Sequence, residues 1–161
     1  VEIDESKIGK RKYNRGRLVE GHWIFGMIER LGNGEKGKFR LAICPDNKRD
    51  QNTLLPIIQD HIEQGSIIHS DGWGAYVHLE DYGYEHYTVI HDRNFVDPVT
   101  GCHTQTIESN WRVLKREICR GGCSRNLDMH MCEYLFRHEM ARRGKDIFEG
   151  FIEAIASVYM T

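Results

Sequence analysis

The sequence contains no long apolar segment and nothing typical of a secretory signal peptide. No run approaches the roughly 20 apolar residues that a membrane-spanning helix needs. The five cysteines are an odd number without a pairing signature, which favours reduced thiols over a disulfide framework. We therefore expect an intracellular protein.

The chain also lacks an overall excess of basic residues, because its formal net charge is -2. Any binding of nucleic acid must therefore depend on local patches of charge. Residues 7–17 contain six basic residues and no acidic one. Residues 110–145 contain nine Lys or Arg against four Asp or Glu, a local charge of about +5.

The 161 residues, 40% of them hydrophobic, are enough for one domain with a real core and few for two. No internal repeat or low-complexity segment interrupts them. We expect a single domain over residues 1–161, with a core over about residues 1–120 and C-terminal helices over about residues 121–161. The chain begins at Val1 without Met, so we expect it to be a piece of a longer protein.

The first part of the chain has the alternating pattern of β-strands. We predict strands over residues 1–6, 22–30 and 38–44, joined by a basic hairpin loop over residues 10–17 and a glycine-rich turn at residues 32–34. Strands joined by short turns form an antiparallel meander.

The hydrophobic period then changes. Thr53 is predicted to cap a helix with Pro56 in its first turn, and residues 66–71 form a buried strand parallel to its neighbour. A short helix over residues 73–81 and a strand over residues 84–91 come next. Helices over residues 103–120, 127–143 and 147–159 complete the chain. This order predicts an α/β fold: a mixed sheet of three antiparallel strands followed by parallel strands, flanked by helices.

Three carboxylates occupy positions where this topology can bring them together. Asp4 lies in the first strand, which such topologies place centrally, and a buried acid is costly unless it is paired or binds a metal. Asp71 ends the fourth strand, at the edge where open α/β sheets bind ligands. Glu108 lies near the start of a late helix. Three such oxygen ligands can hold two Mg²⁺ or Mn²⁺ ions about 3.5–4 Å apart.

The helix that carries Glu108 has an apolar stripe at the i, i+4, i+7, i+11 spacing. The stripe consists of Ile107, Trp111, Leu114 and Ile118. We expect it to hold Glu108 in place against the sheet.

Each carboxylate also has a simpler interpretation. Asp4 suits a half-exposed strand, Asp71 suits the N-cap of a helix before Trp73, and Glu108 suits a first helical turn, where the macrodipole favours acids. These alternatives remain open for each residue taken by itself. The combination of all three on suitable elements favours the metal site.

Several segments together resemble a known family. They are Ile3 to Lys7, Trp23 to Gly26, His69 to Tyr76, His91 with Phe95 to Pro98, and His103 to Trp111. Over residues 1 to about 120 they resemble the DDE transposases of the Merlin group and related bacterial insertion-sequence transposases. The 36 residues between Asp71 and Glu108 (72–107) agree with the spacing of that group.

The resemblance implies a ribonuclease H-like fold and a catalytic, metal-binding triad of Asp4, Asp71 and Glu108. It implies two Mg²⁺ (or Mn²⁺) ions and Mg-dependent DNA cleavage and strand transfer by a transposase catalytic domain. Its partners would be transposon ends and target DNA, bound by a homo-oligomer in a synaptic complex. It also implies that an N-terminal DNA-binding region is absent from this chain. We accordingly expect the protein in the nucleus if it comes from a eukaryote, or in the cytoplasm and nucleoid if it comes from a bacterium.

Further residues are candidates for contact with DNA. The basic ones, which suit phosphate contacts with little sequence reading, are Lys10, Arg11, Lys12, Arg112, Lys115 and Arg116. His103 could bond a phosphate or position a carboxylate, and Asn110 could orient a neighbour or touch DNA. The alternative is that the charged residues only keep the surface solvated.

Three other functions remain open. A domesticated or inactive derivative would keep the fold and bind DNA without cutting it. A ribonuclease H-type nuclease would use the same acids on an RNA–DNA hybrid. A zinc-dependent interaction module would use the late Cys and His residues Cys119, Cys123, His130 and Cys132, although their spacing is irregular.

Overall fold

The computed structural model of the chain describes residues 1–9, 21–32, 35–89, 96–98, 100–120 and 126–159, without the side chains of residues 119 and 120. The predicted hairpin loop over residues 10–17 lies outside these ranges. Its three candidate DNA contacts, Lys10, Arg11 and Lys12, therefore remain predictions. His91 and Phe95 also lie outside the described residues.

A five-stranded mixed sheet forms the centre of the structure. Its strands are β1 (Glu2–Ile8), β2 (His22–Ile28), β3 (Phe39–Ile43), β4 (Ile67–Asp71) and β5 (Glu85–Val89). They lie in the order β3-β2-β1-β4-β5, so that β1 is central. Strands β1, β2 and β3 pair antiparallel, whereas β4 is parallel to both β1 and β5. The predicted α/β class and the mixed, ribonuclease H-like sheet are confirmed.

Four α-helices accompany the sheet in the described part of the chain. They are α1 (Gln51–His61), α2 (Gln105–Arg120), α3 (Leu127–Arg143) and α4 (Ile147–Tyr159). The predicted positions of the last three are confirmed to within two residues. No helix among the described residues is both long and apolar enough to cross a membrane.

The start of α1 differs from its prediction. Asp50 is the N-cap, and its Oδ1 accepts hydrogen bonds from the Thr53 backbone N–H at 3.0 Å and the Thr53 hydroxyl at 2.9 Å. The helix therefore begins before Thr53, and Pro56 lies inside it rather than in the first turn. Proline donates no backbone hydrogen bond, and the helix packs on the core through Leu54 and Ile58, which are both buried.

The segment predicted as a short helix over residues 73–81 forms two 3-10 helices, Gly74–Tyr76 and Leu79–Tyr82. Each one buries a single side chain, Tyr76 or Leu79, against the core that contains α1. Packing of these two anchors, rather than a continuous apolar stripe, sets the local structure.

The sheet has a separate core on each face, because successive strand residues point to opposite sides. One core packs α1 and the 3-10 helices against Ile3, Phe25 and Ile68. The other packs α2 and α3 against Ile8 and Ile24. The predicted stripe of α2 lies in this second core and is buried: Ile107 (0% exposed), Trp111 (5%), Leu114 (0%) and Ile118 (2%).

Candidate active site

Asp4 lies on the face of β1 that is covered by α2, and both of its carboxylate oxygens accept hydrogen bonds. Oδ1 accepts from the backbone N–H of Glu5 at 2.8 Å. Oδ2 accepts from the indole Nε1–H of Trp111 in α2 at 2.9 Å. These two donors fix the orientation of a carboxylate in the central strand of the sheet.

A glycine on the neighbouring strand makes the bond from Trp111 possible. Gly26 on β2 pairs with Asp4 in the antiparallel register. A Cβ atom at Gly26 would lie 2.6 Å from Cζ2 of Trp111 and 3.2 Å from Cδ1 of Ile107. Because real Cβ atoms do not approach a ring so closely, only glycine lets the indole lie across β2 and reach Asp4.

Asp71 ends β4, next to β1. The parallel register pairs Glu2 with His69, so Asp4 and Asp71, each two residues further along, lie side by side on the same face. The Oδ1 atom of Asp71 accepts a hydrogen bond from the Trp73 backbone N–H at 3.0 Å. The simpler interpretation of Asp71 as a helix N-cap is wrong, because the 3-10 helix Gly74–Tyr76 has Trp73 as its N-cap and no side-chain cap bond. Asp71 instead bonds the backbone two residues further on through one oxygen, which leaves the second oxygen for another role.

Glu108 lies in the first turn of α2 and is half-buried. Its Oε1 atom accepts a hydrogen bond from the Thr104 hydroxyl at 3.0 Å, and its backbone N–H donates to the Thr104 carbonyl at 3.1 Å. Thr104 is itself buried (1% exposed), so it orients the Glu108 side chain from a fixed position just before the helix.

Burial, hydrogen bonds and the charges of Asp71 and Glu108 all change the pKa of the Asp4 carboxyl. The pKa of the Asp4 carboxyl is raised from 3.8 to about 6, mainly by burial and then by the charge of Asp71. The hydrogen bonds from Glu5 and Trp111 lower this pKa, and the charge of Glu108 again raises it. Both other acids therefore act on Asp4 through space. Their combined negative charge would be relieved by a divalent cation.

The chemistry of these donors fits Mg²⁺ or Mn²⁺, because both ions prefer carboxylate oxygens. The described residues nevertheless contain no three His, Cys, Asp or Glu side chains that converge to hold a metal ion. Asp71 and Glu108 are thus close enough to Asp4 for their charges to affect it, but the three carboxylates do not converge on a common metal position.

The sequence interpretation missed two buried acids on β1. Glu2 is fully buried (0% exposed) and contacts the start of α2. Glu5 faces the opposite core, where burial raises its pKa to about 7, and the charges of Asp4 and Asp71 raise it as well. The alternation of β1 places these acids on opposite faces, but nothing local in the sequence indicates that both are buried.

The candidate DNA contacts on α2 lie in different environments. Arg112, Lys115 and Arg116 are exposed, and Arg116 Nε lies 3.4 Å from a Glu117 carboxylate oxygen. Asn110 donates to the Thr106 carbonyl at 2.9 Å and accepts a long bond from the Tyr134 hydroxyl at 3.4 Å. Its position relative to DNA stays a prediction.

His103 is held by protein groups rather than facing open solvent. Its Nε2 atom lies 2.7 Å from Arg30 Nη2, and its Nδ1 atom lies 3.3 Å from Glu2 Oε1. Together with Asn110, His103 lines a cavity of about 560 Å³ between α2, α3 and the end of β2. Its contact with phosphate stays a prediction, whereas its contact with the Glu2 carboxylate is an observation.

The residues of the alternative zinc site are only partly described. Cys132 is an exposed free thiol on α3, and His130 lies on the same helix. Cys123 and the side chain of Cys119 lie outside the described residues. The described side chains therefore give the zinc interpretation no support.

Comparison with known proteins identifies the family. The family model described as the ISXO2-like transposase domain matches residues 1–139. The match extends through most of α3, beyond residue 120, where the recognised sequence motifs end. No curated protein matches the chain. The resemblance to insertion-sequence transposases is confirmed: this chain belongs to the family of ISXO2-like transposase domains, which are DDE-type transposases.

Proposed function

We propose that this transposase domain carries out metal-dependent DNA cleavage and strand transfer, with Asp4, Asp71 and Glu108 as catalytic metal ligands. The observation that carries the proposal is geometric: the register places Asp4 and Asp71 side by side on the face of the sheet covered by α2, whose first turn carries Glu108. The charges of Asp71 and Glu108, which both raise the pKa of the Asp4 carboxyl, agree with this placement. Three acids from two strands and one helix thus share one site, which suits two Mg²⁺ or Mn²⁺ ions.

Each residue has a distinct part in holding that site. Trp111 and the Glu5 N–H keep the Asp4 carboxylate oriented. Asp71 extends from the end of β4, and the Thr104 hydroxyl positions Glu108. Bound divalent ions supply Lewis-acid stabilisation of the charge that develops on the attacked phosphate. Binding of the ions would draw the three carboxylates, which already interact, towards a common centre.

The proposed reaction has two steps on DNA. In the first, water attacks a phosphodiester at the element end, and the bond to the 3′-oxygen breaks to free a 3′-hydroxyl. In the second, this hydroxyl attacks a phosphodiester of the target DNA in line, so that a new bond forms and a target 3′-hydroxyl leaves. Asp4, Asp71 and Glu108 would hold the ions that stabilise the attacked phosphate in both steps.

DNA would cross the exposed basic face of α2 in this proposal. Arg112, Lys115 and Arg116 lie on the same helix as Glu108, so a phosphate backbone bound by them passes close to the acids. Lys10, Arg11 and Lys12 are proposed as additional phosphate contacts. Since two element ends must be joined to one target, we also propose that the protein acts as a homo-oligomer in a synaptic complex.

A nicking assay with supercoiled plasmid DNA and Mn²⁺ tests the proposal. Asp4→Asn, Asp71→Asn and Glu108→Gln should each reduce nicking by more than about 100-fold, since removing even an outer partner of a metal ligand costs roughly 10–100-fold. Asp60→Asn, at an exposed position of α1, is the matched control and should nick like the parent protein.

The same assay separates the alternatives. A parent protein that binds the plasmid but never nicks it, with any divalent ion, would identify a domesticated or inactive derivative. Cleavage of an RNA–DNA hybrid without nicking of plasmid DNA would identify a ribonuclease H-type nuclease. The three intact acids and their mutual electrostatic interaction favour the transposase reaction over both.

A further inference from the structure

Glu2 is a charged side chain that is completely removed from solvent. Its exposed fraction is 0%, although it lies at the first position of β1. It points to the same face of the sheet as Asp4, because the two residues are separated by one position of the strand. A buried carboxylate is costly unless hydrogen bonds and opposite charges compensate for lost water.

Two hydrogen bonds from α2 contribute to that compensation. Oε2 of Glu2 accepts from the backbone N–H of Ile107 at 2.9 Å, and Oε1 accepts from the Thr106 hydroxyl at 2.8 Å. Both donors belong to the first turn of α2, whose backbone N–H groups have no partner within the helix. The carboxylate therefore caps α2 from a strand 105 positions away in the sequence.

A cation and a histidine complete the surroundings of Glu2. Arg30 Nε lies 3.5 Å from Oε1, and His103 Nδ1 lies 3.3 Å from the same atom. Arg30 is only a donor, so its short contact of 2.7 Å with His103 Nε2 requires that nitrogen to accept. The helix dipole adds a further favourable interaction.

β1 thus holds α2 at two points on one helical face. Glu2 binds the Ile107 N–H, and Asp4 binds the Trp111 indole four residues later. Residues four apart lie one above the other on a helix, so the two acids bind the same face of α2 at successive turns. Glu108 directly follows Ile107. Any slide or rotation of α2 that displaced Glu108 would have to break the bonds to Glu2.

We propose that Glu2 is a positioning residue that fixes the first turn of α2 on β1, so that Glu108 faces Asp4 across the metal site. This inference rests on the proposed function, because it gives Glu2 a role in that site. Glu2 touches neither metal nor DNA in the proposal, and it acts only through the placement of Glu108.

The first test measures the helix directly, without metal or DNA. Amide hydrogen exchange in the whole protein is followed by NMR for the parent, Glu2→Gln and Thr106→Val. Exchange at Ile107 should become at least tenfold faster in Glu2→Gln, while exchange at Leu114, two turns later, stays unchanged. Equal acceleration at both positions, or none at Ile107, overturns the inference.

The second test separates positioning from simple stabilisation. Mn²⁺ affinity of the folded protein is measured by electron paramagnetic resonance at a temperature well below unfolding. Glu2→Gln and Thr106→Val should weaken Mn²⁺ binding by about 10–100-fold, the usual effect of losing a group that orients a ligand. Thr106→Ser, which keeps the hydroxyl donor, should restore the affinity. Ser109→Ala, an exposed neighbour in α2, should leave it unchanged.

The outcomes distinguish the two proposals. Normal Mn²⁺ affinity in folded Glu2→Gln protein means that Glu2 only stabilises the fold, and the positioning inference is then wrong. A parent protein that binds no Mn²⁺ overturns the proposed function instead. In that case the exchange rate at Ile107 still decides whether Glu2 holds the helix.

Discussion

The Nε1–H of Trp111 donates a hydrogen bond to Oδ2 of Asp4 over 2.9 Å, joining α2 to the central strand of the sheet. The indole is 5% exposed, so the donor of this bond is shielded from bulk water, whereas Asp4 is half-buried. The bond has two effects: it supports the packing of α2 on the sheet, and it lowers the pKa of a carboxyl whose pKa burial raises.

Replacement of Trp111 by Phe should remove this bond while keeping an aromatic ring. The pKa of Asp4 should rise above its value of about 6, because a hydrogen bond that lowers it is lost. Loss of a hydrogen bond to a charged group should cost about 1.5–3 kcal/mol of unfolding free energy, in addition to lost packing. NMR titration of the Asp4 carboxyl and urea denaturation measure the two effects.

Trp73→Phe, at a partly exposed indole, is the control and should leave the Asp4 titration unchanged. An unchanged titration in Trp111→Phe would contradict the role given to the bond.

The close approach at Gly26 predicts a large effect from a small substitution. In Gly26→Ala the new methyl group would lie 2.6 Å from the Trp111 ring, so the ring or α2 must shift. Overpacking of this kind costs about 1–3 kcal/mol. The downfield indole N–H resonance of Trp111 should move as its bond to Asp4 lengthens. Gly32→Ala, where no atom lies within 4 Å of the added carbon, should change neither stability nor spectrum.

Asp4→Asn should make the stability of the metal-free protein less dependent on pH while it abolishes Mn²⁺ binding. The folded-state pKa of Asp4 is raised from 3.8 to about 6, so the folded protein takes up a proton more readily than the unfolded chain. The unfolding free energy contributed by Asp4 therefore falls as pH rises through that interval. A raise of this size corresponds to a cost of up to about 3 kcal/mol at pH 8 relative to pH 4. Asn does not ionise and lacks this pH dependence, although its single amide oxygen can accept only one of the two hydrogen bonds that Asp4 accepts.

Urea denaturation in the presence of a chelator, between pH 4 and pH 8, measures this effect. The parent should lose stability across the interval, and Asp4→Asn should show a flatter profile. Asp60→Asn should follow the parent. Added Mn²⁺ should raise the stability of the parent by about 2.7 kcal/mol at 100 times the dissociation constant, and should not stabilise Asp4→Asn. Equal stabilisation of both proteins by Mn²⁺ would place the ion elsewhere.

The exposed basic residues of α2 should contribute to DNA affinity through phosphate contacts. Arg112→Gln, Lys115→Gln and Arg116→Gln should each weaken binding to duplexes of unrelated sequence to the same extent. Each should also reduce the slope of log affinity against log salt by about 1. Fluorescence anisotropy over a salt series measures this. Arg137→Gln, which removes the same charge from an ion pair with Glu133 on α3, is the control. Equal effects from the control would show that only net charge matters.

Local pattern was sufficient to predict most of the fold. Strand alternation and the change to a helical period located the five strands and the last three helices, because both signals depend on neighbours along the chain. Predictions failed where a local signal competed with another. Thr53 was predicted as the N-cap of α1, but Asp50 is the N-cap, because its carboxylate accepts hydrogen bonds from both the N–H and the hydroxyl of Thr53. The segment after β4 formed two 3-10 helices because Tyr76 and Leu79 are each buried separately.

The sequence by itself determined the elements that carry Asp4, Asp71 and Glu108, together with the spacing and motifs that identify the family. It could not determine what surrounds these acids. Three contacts surround these acids: the Glu2 cap on α2, the Trp111 bond to Asp4, and the space that Gly26 leaves for the Trp111 ring. The residues of each pair lie 105, 107 and 85 positions apart in the sequence, respectively. Such contacts leave no periodic trace, because they exist only once α2 lies on the sheet. Tertiary packing alone decided that the first charged residue of β1 is buried and that the helix of Glu108 is held from that strand.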